Sequence, residues 1–495
     1  MDELIPLRLD TLDQLPRAVA TPRYPRSTLA PGIVHIGLGN FHRAHQAWYT
    51  HRLMQEARAL DWAIIGAGVR AGDAAMRARL LAQDCLSTLI ELDPQGKSAE
   101  VTGAMVDFLP VEDDNAALIA RIAQPDIRIV SLTVTEGGYY RDAKTDGLDL
   151  NHPDIRHDGA HPATPRTAFG AMVAALGQRR ARGVGPFTGL SCDNLQGNGA
   201  ILRETVVGLA RLSDPALADW IDRMCSFPSS MVDCIVPATG PREVALAGAF
   251  GIADAAPVTH ESFRQWVIED TFCAGRPDWD RVGAVFTSDV HAFETMKIRI
   301  LNGGHQVICG AGDLLGLDTV AETMAHDGIR AMFRKIGRDE IAPHVAAPPG
   351  VSVLDYIDLI ERRFANPEIR DTTRRVAFDG SSRHAGFLLP SIRDGLAKGT
   401  PVDGLALVSA LWARQCLGRR EDGSVIEAND PRWPDLHKAA MAAQSDPAAW
   451  LNEVTIYRDV QDAPRFREAF CAWYRALAAE GVDTAILSFN AQQSV

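Results

Sequence analysis

Ile33-Val34-His35-Ile36-Gly37-Leu38-Gly39-Asn40-Phe41 is the stretch on which the fold turns. Its first four residues, three of them β-branched, read as a buried strand. Gly37-x-Gly39 closes that strand, and a helical pattern follows from His42 to Glu56. Strand, glycine turn and helix make half of a dinucleotide-binding fingerprint. The first glycine permits the tight turn, the second lets a phosphate approach the backbone, and the helix N-terminus holds the pyrophosphate. The third glycine of G-x-G-x-x-G is missing, since His42 stands there, and a lone G-x-G is weak evidence. Context strengthens it. A second strand, Trp62–Ile65, runs into Gly66-Ala67-Gly68 at the distance where an acidic residue would take the adenosine ribose hydroxyls. Asp73 is the nearest carboxylate. It would favour NAD over NADP by repelling a 2′-phosphate, while Arg70 beside it leaves NADP open. Its plain structural alternative is an aspartate that starts a helix.

Outward from that turn, strand-like runs recur at Ser87–Leu92, Ile127–Thr135 and Phe187–Leu190. Helical patterns lie between them at Asp73–Leu81, Asn115–Ala123 and Thr167–Arg182. Such alternation predicts a parallel sheet with crossover helices. Arg141–Arg166, rich in Asp, His, Gly and Pro, reads as a long surface excursion. From about Asp289 the pattern changes to long helical runs, with turn-rich breaks at Ala342–Val351 and Glu421–Trp433. The expected architecture is a Rossmann-type doubly wound α/β domain over residues 1–285, then a mostly α-helical domain over 286–495. The junction is expected between about 275 and 290.

Composition limits the function. With 495 residues, 46% hydrophobic and 23% charged, the chain is a globular protein of two or three domains. A net charge of −13 argues against nucleic acid and anionic membrane as partners. No apolar run reaches the ~18 residues of a membrane span, and the acidic N-terminus does not read as a signal peptide. The eight cysteines are scattered without a C-x-x-C, as expected of free thiols in a reducing cytoplasm.

A second stretch, Glu294-Thr295-Met296-Lys297-Ile298-Arg299-Ile300-Leu301-Asn302-Gly303-Gly304-His305, stands out by its lysine. Of 50 Lys plus Arg, only six are lysine. Arginine fills the basic surface positions, so a lysine in an apolar helix asks for a chemical reason. Lysine can lose its proton and arginine effectively cannot. At about 100° per residue, Glu294, Lys297, Asn302 and His305 share an arc of about 140°. Met296, Ile300, Gly303 and Gly304 lie opposite, and the helix is expected to be buried. Burial brings a lysine pKa down from about 10.4 toward the range of a general base. The two glycines would let another backbone or a ligand come close. The rival is a lysine that snorkels to the surface, with Asn302 and His305 as satisfied core polars. His35, His42 and His45 lack a cysteine or carboxylate at ligand spacing, so no metal site is expected.

Blocks along the chain resemble a family, the long-chain, zinc-independent polyol dehydrogenases typified by mannitol 2-dehydrogenase. It includes fructuronate and tagaturonate reductases and arabinitol dehydrogenase. The blocks are IVHIGLGNFHRAHQAWYT (33–50), SLTVTEGGYY (131–140), SCDNLQGNG (191–199), VDCIVPAT (232–239), FRQWVIED (263–270), MKIRILNGGH (296–305) and DGSSR (379–383). The resemblance implies that Lys297 is the general base in alcohol oxidation and the acid in ketone reduction. It implies that Asn194 and Asn302 hold the substrate oxygen and that His305 positions the substrate. Asp233 would lie near the lysine and the sugar hydroxyls, and Glu294 would gate proton exit. Arg375 would bind substrate, with Arg383 bordering its distal end. Gly37, Gly39, Phe41, Asp73 and Glu136 would serve the cofactor, NAD. The implied partner is a small polyol or ketose, and the implied state a monomer.

Two positions depart from the family pattern. Gly72-Asp73 stands where Glu-Asp is frequent, which loosens the selection of NAD over NADP. Arg383 stands where lysine is usual, which bears on substrate identity. The rivals are a hexuronate reductase, with Arg375 or Arg383 holding a carboxylate, a non-catalytic dinucleotide sensor, and a zinc alcohol dehydrogenase.

Overall fold

The computed structural model describes residues 4–142, 145 and 147–492. The chain divides into two compact units, Met1–His291 and Ala292–Val495. Among the described residues no helix is long and apolar enough to cross a membrane.

The first unit is built on a five-stranded parallel sheet. Its strands are β1 (Pro31–Ile36), β2 (Ala63–Ala67), β3 (Met105–Phe108), β4 (Ile129–Leu132) and β5 (Thr188–Ser191). Their order is β3-β2-β1-β4-β5, with every pairing parallel. This is the doubly wound arrangement expected of a Rossmann-type domain. Its topological switch point lies between β1 and β4, where ligands of such sheets bind beyond the carboxyl ends. Side chains alternate between the two faces, so the apolar run of each strand feeds two cores. Val34, Ile65 and Val130 join one cluster with Leu118, Phe169 and Leu202. Ile33, Ile64 and Ile129 join the other with Tyr49, Trp266 and Trp279.

Three local expectations change. The helix after β1 is broken into α1 (Asn40–Ala44) and α2 (Gln46–Gln55). His45 sits at the break with φ −120° and ψ −97°, and its Nε2 hydrogen-bonds the Gln265 carbonyl at 3.1 Å. Ser87–Asp93 is not part of the parallel sheet. It forms an antiparallel hairpin with Gly96–Thr102, and Val258–Glu261 pairs with it in parallel. Arg141–Arg166 is not a plain excursion: it contains a helix, Pro153–Ala160. Asp158 on that helix is buried and accepts from the Arg166 and Thr167 backbone N–H groups at 2.7 and 3.0 Å. A further sheet of the first unit runs β6 (Ser230–Asp233), β7 (Gln265–Glu269) and β8 (Val285–Thr287).

The second unit is mostly helical. Val290–Met296 leads into it, and α3 (Gly303–Leu314) lies at its centre, largely buried. A Cβ on Gly304 would meet Phe333 at 2.8 Å, so the expected close approach is made by a core aromatic ring. Long helices α4 (Asp403–Gln415) and α5 (Pro464–Ala491) pack together. Lys335 Nζ donates to the Phe489 carbonyl at 2.9 Å, satisfying the end of α5.

Three stretches of this unit are wound as π-helix: Lys297–Asn302, Gly337–Ile341 and His384–Leu388. The first touches both others. The uninterrupted α-helix expected over Glu294–His305 is therefore corrected. A π turn closes its hydrogen bonds over five residues instead of four, so each residue advances less around the axis. The wheel angles that assume 100° per residue do not hold through Lys297–Asn302.

Candidate active site

At the end of β1, Gly37 has φ +88°, and a Cβ there would lie 2.2 Å from the Thr133 carbonyl oxygen. Only glycine fits that turn. The Thr133 hydroxyl donates to the Gly37 carbonyl at 2.7 Å, fastening the ends of β1 and β4 together at the switch point. Gly39 differs: nothing lies within 4 Å of where its Cβ would be. Space stands open over the turn where a phosphate would sit. Phe41 stacks on His45, with ring centroids 4.8 Å apart. Asp73 starts the helix Asp73–Leu81, and its Oδ2 accepts from the Val69 and Arg70 N–H groups at 3.0 Å each. It organises the loop after β2, and Arg70 sits in that loop.

The histidines on either side of the turn serve packing. His35 and His42 stack at 3.5 Å, and the His35 nitrogens bond Ser131 Oγ at 2.8 Å and Thr133 Oγ1 at 2.9 Å. Burial pushes the His35 pKa down to about 3, so its ring stays neutral.

Beyond β4 the backbone is strained. Thr135 has φ +67°, an outlier for a β-branched residue. Asp193, buried at the end of β5, holds it there. Its carboxylate accepts from the Val134 and Thr135 N–H groups at 3.1 and 2.8 Å and from the Tyr139 hydroxyl at 2.8 Å. The Glu136 side chain lies outside the described residues. Asn194 follows Asp193 directly and is exposed. Asn198 fixes the same loop from below: its amide donates to the Asp193 and Ser230 carbonyls at 3.0 and 2.8 Å, and its oxygen accepts from Ser230 N–H at 2.9 Å. Asp233, at the end of β6, is buried. Sequence reasoning missed Asp193 and Asn198. The only signal was their place on either side of Asn194 in one block.

In the second unit, Glu294 and Lys297 are 4% and 7% exposed, which removes the snorkelling alternative for the lysine. Lys297 opens the π segment and Asn302 closes it, half-buried. His305, on the first turn of α3, stacks on Phe364 with centroids 4.2 Å apart. Its buried Nε2 has no hydrogen-bond partner among the described residues. Burial, seconded by the guanidinium groups of Arg375, Arg383 and Arg363 and opposed by Asp371, brings its pKa down to about 3. A neutral imidazole with an orphaned nitrogen is suited to a substrate hydroxyl.

The two expected substrate arginines are engaged with protein. Arg375 grips buried Asp371 through both Nε and Nη2. Arg383 donates to the Val376 and Arg375 carbonyls at 2.7 and 3.3 Å.

Residues 31–281 match the model of the mannitol dehydrogenase Rossmann domain, and residues 289–478 that of the mannitol dehydrogenase C-terminal domain. A mannitol 2-dehydrogenase of Cereibacter sphaeroides is 54% identical over 96% of this chain and 99% of its own. One from Aspergillus terreus is 40% identical over 94% of each. Among solved structures, the Pseudomonas fluorescens mannitol 2-dehydrogenase, a ternary complex with NAD and D-mannitol, superposes with a TM-score of 0.85. It is 40% identical and covers 99% of this chain and 100% of its own. A substrate-free D-sorbitol dehydrogenase gives 0.91 at 34% identity, covering 97% and 100%. This chain belongs to the mannitol dehydrogenase family.

Proposed function

We propose that the protein is an NAD-dependent mannitol 2-dehydrogenase, converting D-mannitol to D-fructose with Lys297 as general base. The observation that carries this is the burial of Lys297 beside Glu294, at the head of a π segment whose other end is Asn302. π turns inside α-helices are frequent at functional sites. Lys297 takes the hydroxyl proton, and the Asn194 and Asn302 amides stabilise the oxygen as negative charge develops. Neutral His305 orients a hydroxyl through Nε2, Asp233 binds the sugar hydroxyls, and Glu294 passes the proton to water.

The turn after β1 fits a dinucleotide: Gly37 makes the bend and Gly39 leaves its Cβ space empty, and Asp73, at the start of the helix after β2, takes the adenosine ribose in this reading. NAD, when bound, supplies the acceptor for the hydride leaving the carbinol carbon. Phe41 and Glu136 complete the cofactor contacts, and Arg70 leaves NADP usable. Residues 1–285 thus serve the cofactor and 286–495 the base.

Arg375 and Arg383 border the far end of the substrate. Their donors go to Asp371 and to main-chain carbonyls, which favours a neutral polyol over a hexuronate needing a free bidentate arginine. The net charge of −13 and eight free cysteines support a cytoplasmic enzyme with no nucleic-acid or membrane partner. We take it to act as a monomer.

The test is Lys297→Ala, assayed on mannitol, sorbitol and arabinitol with NAD and NADP, and on fructose and fructuronate with NADH and NADPH. Mannitol oxidation should fall by 10² or more, roughly what a general base contributes. A kcat/KM within about tenfold of wild type overturns the base assignment. Faster turnover of fructuronate than of fructose by the wild type overturns the substrate.

A further inference from the structure

The segment that carries Arg375 and Arg383 joins a short helix to the first turn of a longer one. Thr373–Ala377 has five residues, too few to be stable alone, and Gly380–Arg383 opens a helical run that continues through His384–Leu388 into Leu389–Lys398. Between them Asp379 has φ +56°. Thr373 fastens its start to the Leu317 and Asp318 carbonyls at 2.8 and 2.9 Å, and the rest is fixed from the turn-rich break some 50 residues on.

Asp430 is the centre of that brace. Its Oδ2 accepts from the Ser381 N–H at 2.7 Å, and its Oδ1 accepts from the Ser381 hydroxyl at 2.9 Å and from the Arg432 N–H at 2.8 Å. Ser381 is 5% exposed. Both arms of the carboxylate therefore grip one buried residue, two positions before Arg383. Asn429 adds a second pair of bonds: its carbonyl accepts from Asp379 N–H at 2.9 Å, and its amide donates to the Arg374 carbonyl at 2.9 Å. Arg374 returns to the Glu427 carbonyl at 3.2 Å. On the inner side, the Val376 carbonyl receives both Arg383 Nη1 at 2.7 Å and Gln306 Nε2 at 2.8 Å, and Gln306 is the neighbour of His305. The chain of contacts runs from Asp430 through Ser381 and Arg383 to the helix of His305.

We infer that Asp430 is a positioning residue for substrate recognition: through Ser381 it sets where Arg383 and Arg375 lie, and so sets the affinity for the distal end of the polyol. The inference rests on the reading of those two arginines as substrate-binding. Asp430 touches neither reacting atoms nor cofactor, so its loss acts on polyol binding more than on turnover.

The experiment compares wild type, Asp430→Asn, Ser381→Ala and Arg383→Ala in mannitol oxidation at saturating NAD, with NADH affinity and thermal stability measured alongside. Asp430→Asn keeps the shape but turns one accepting oxygen into a donor facing a donor. Its KM for mannitol should rise about tenfold with kcat within about threefold, and NADH affinity should be unchanged. Ser381→Ala, which keeps the backbone arm, should move KM the same way by less. In Arg383→Ala, adding Asp430→Asn should cost little more, since both act through one contact chain. The inference is overturned if Asp430→Asn leaves the mannitol KM within about twofold while Arg383→Ala raises it. It is equally overturned if kcat and NADH affinity fall and the mannitol KM rises together with a loss of melting temperature, as simple destabilisation would give. Should Arg383→Ala itself leave KM unmoved, the substrate-binding reading of that segment fails, and the inference with it.

Discussion

The turn after β1 and the segment around Lys297 both place a few reactive groups at fixed points, and they do it by opposite means. The turn is held by its own sheet. Gly37 lies against the end of the neighbouring strand, and the register of β1 with β4 sets its position. The lysine segment is held by irregularity: a π-wound stretch touching two others, with Arg299 reaching the His344 carbonyl at 3.1 Å. A site made from strand ends is defined by local residue types. A site made from interrupted helices is defined by its long-range partners.

Four substitutions sharpen that contrast. The largest effect is expected in the helical unit. Asn302→Ala removes the donor proposed to stabilise the developing oxyanion, and kcat should fall by about 10²-fold, or ~3 kcal/mol. NADH affinity measured by fluorescence should not change; if it does, Asn302 serves the cofactor and the division between the regions breaks.

Next is Glu340, in the second π segment. It is buried, and its carboxylate accepts from the Gly404 and Leu405 N–H groups at 2.7 and 2.9 Å, capping α4. Burial outweighs those two bonds and lifts its pKa from 4.5 to about 7. A carboxyl raised on folding contributes stability that is fully present below its unfolded pKa and lost as pH rises through the folded value. Stability should therefore fall by about 3 kcal/mol across that window. Glu340→Gln should flatten the dependence in urea unfolding between pH 4 and 8. An unchanged slope in the variant would remove Glu340 as its source.

In the sheet unit, Gly37→Ala forces a Cβ against the Thr133 carbonyl and a strained φ, costing about 1–3 kcal/mol. NADH affinity should drop about tenfold or more while kcat at saturating NAD is kept. A variant that binds NADH normally would show that the turn does not meet the cofactor. The smallest effect is at Asp73. Asp73→Ser should shift the NAD-to-NADP ratio of kcat/KM by about tenfold toward NADP, ~1.4 kcal/mol. No shift would confine Asp73 to its bonds with Val69 and Arg70.

Sequence alone reached the sheet unit more readily, for the same reason. Gly37, the helix from Asp73 to Leu81 and the capping Thr167 are dictated by neighbours within a few residues. The break at His45 was hidden because its imidazole answers to Gln265, and the hairpin at Ser87 because its strands resemble parallel ones until paired. Lys297 is visible as a rare lysine, Glu294, Asn302 and His305 follow from the helical arc drawn around it, and their roles come only with the family resemblance. The π winding was not visible, since no residue type marks it. Asp193 and Asp430 are not marked in the sequence: Asp193 acts on backbone N–H groups 58 and 59 residues away and Asp430 on one 49 residues away, which leaves no trace in spacing.

The three π segments carry a consequence for engineering. A π turn closes its hydrogen bonds over one residue more than an α turn. Deleting one residue within Lys297–Asn302 would let that turn rewind as α-helix and rotate everything from Gly303 onward against Lys297.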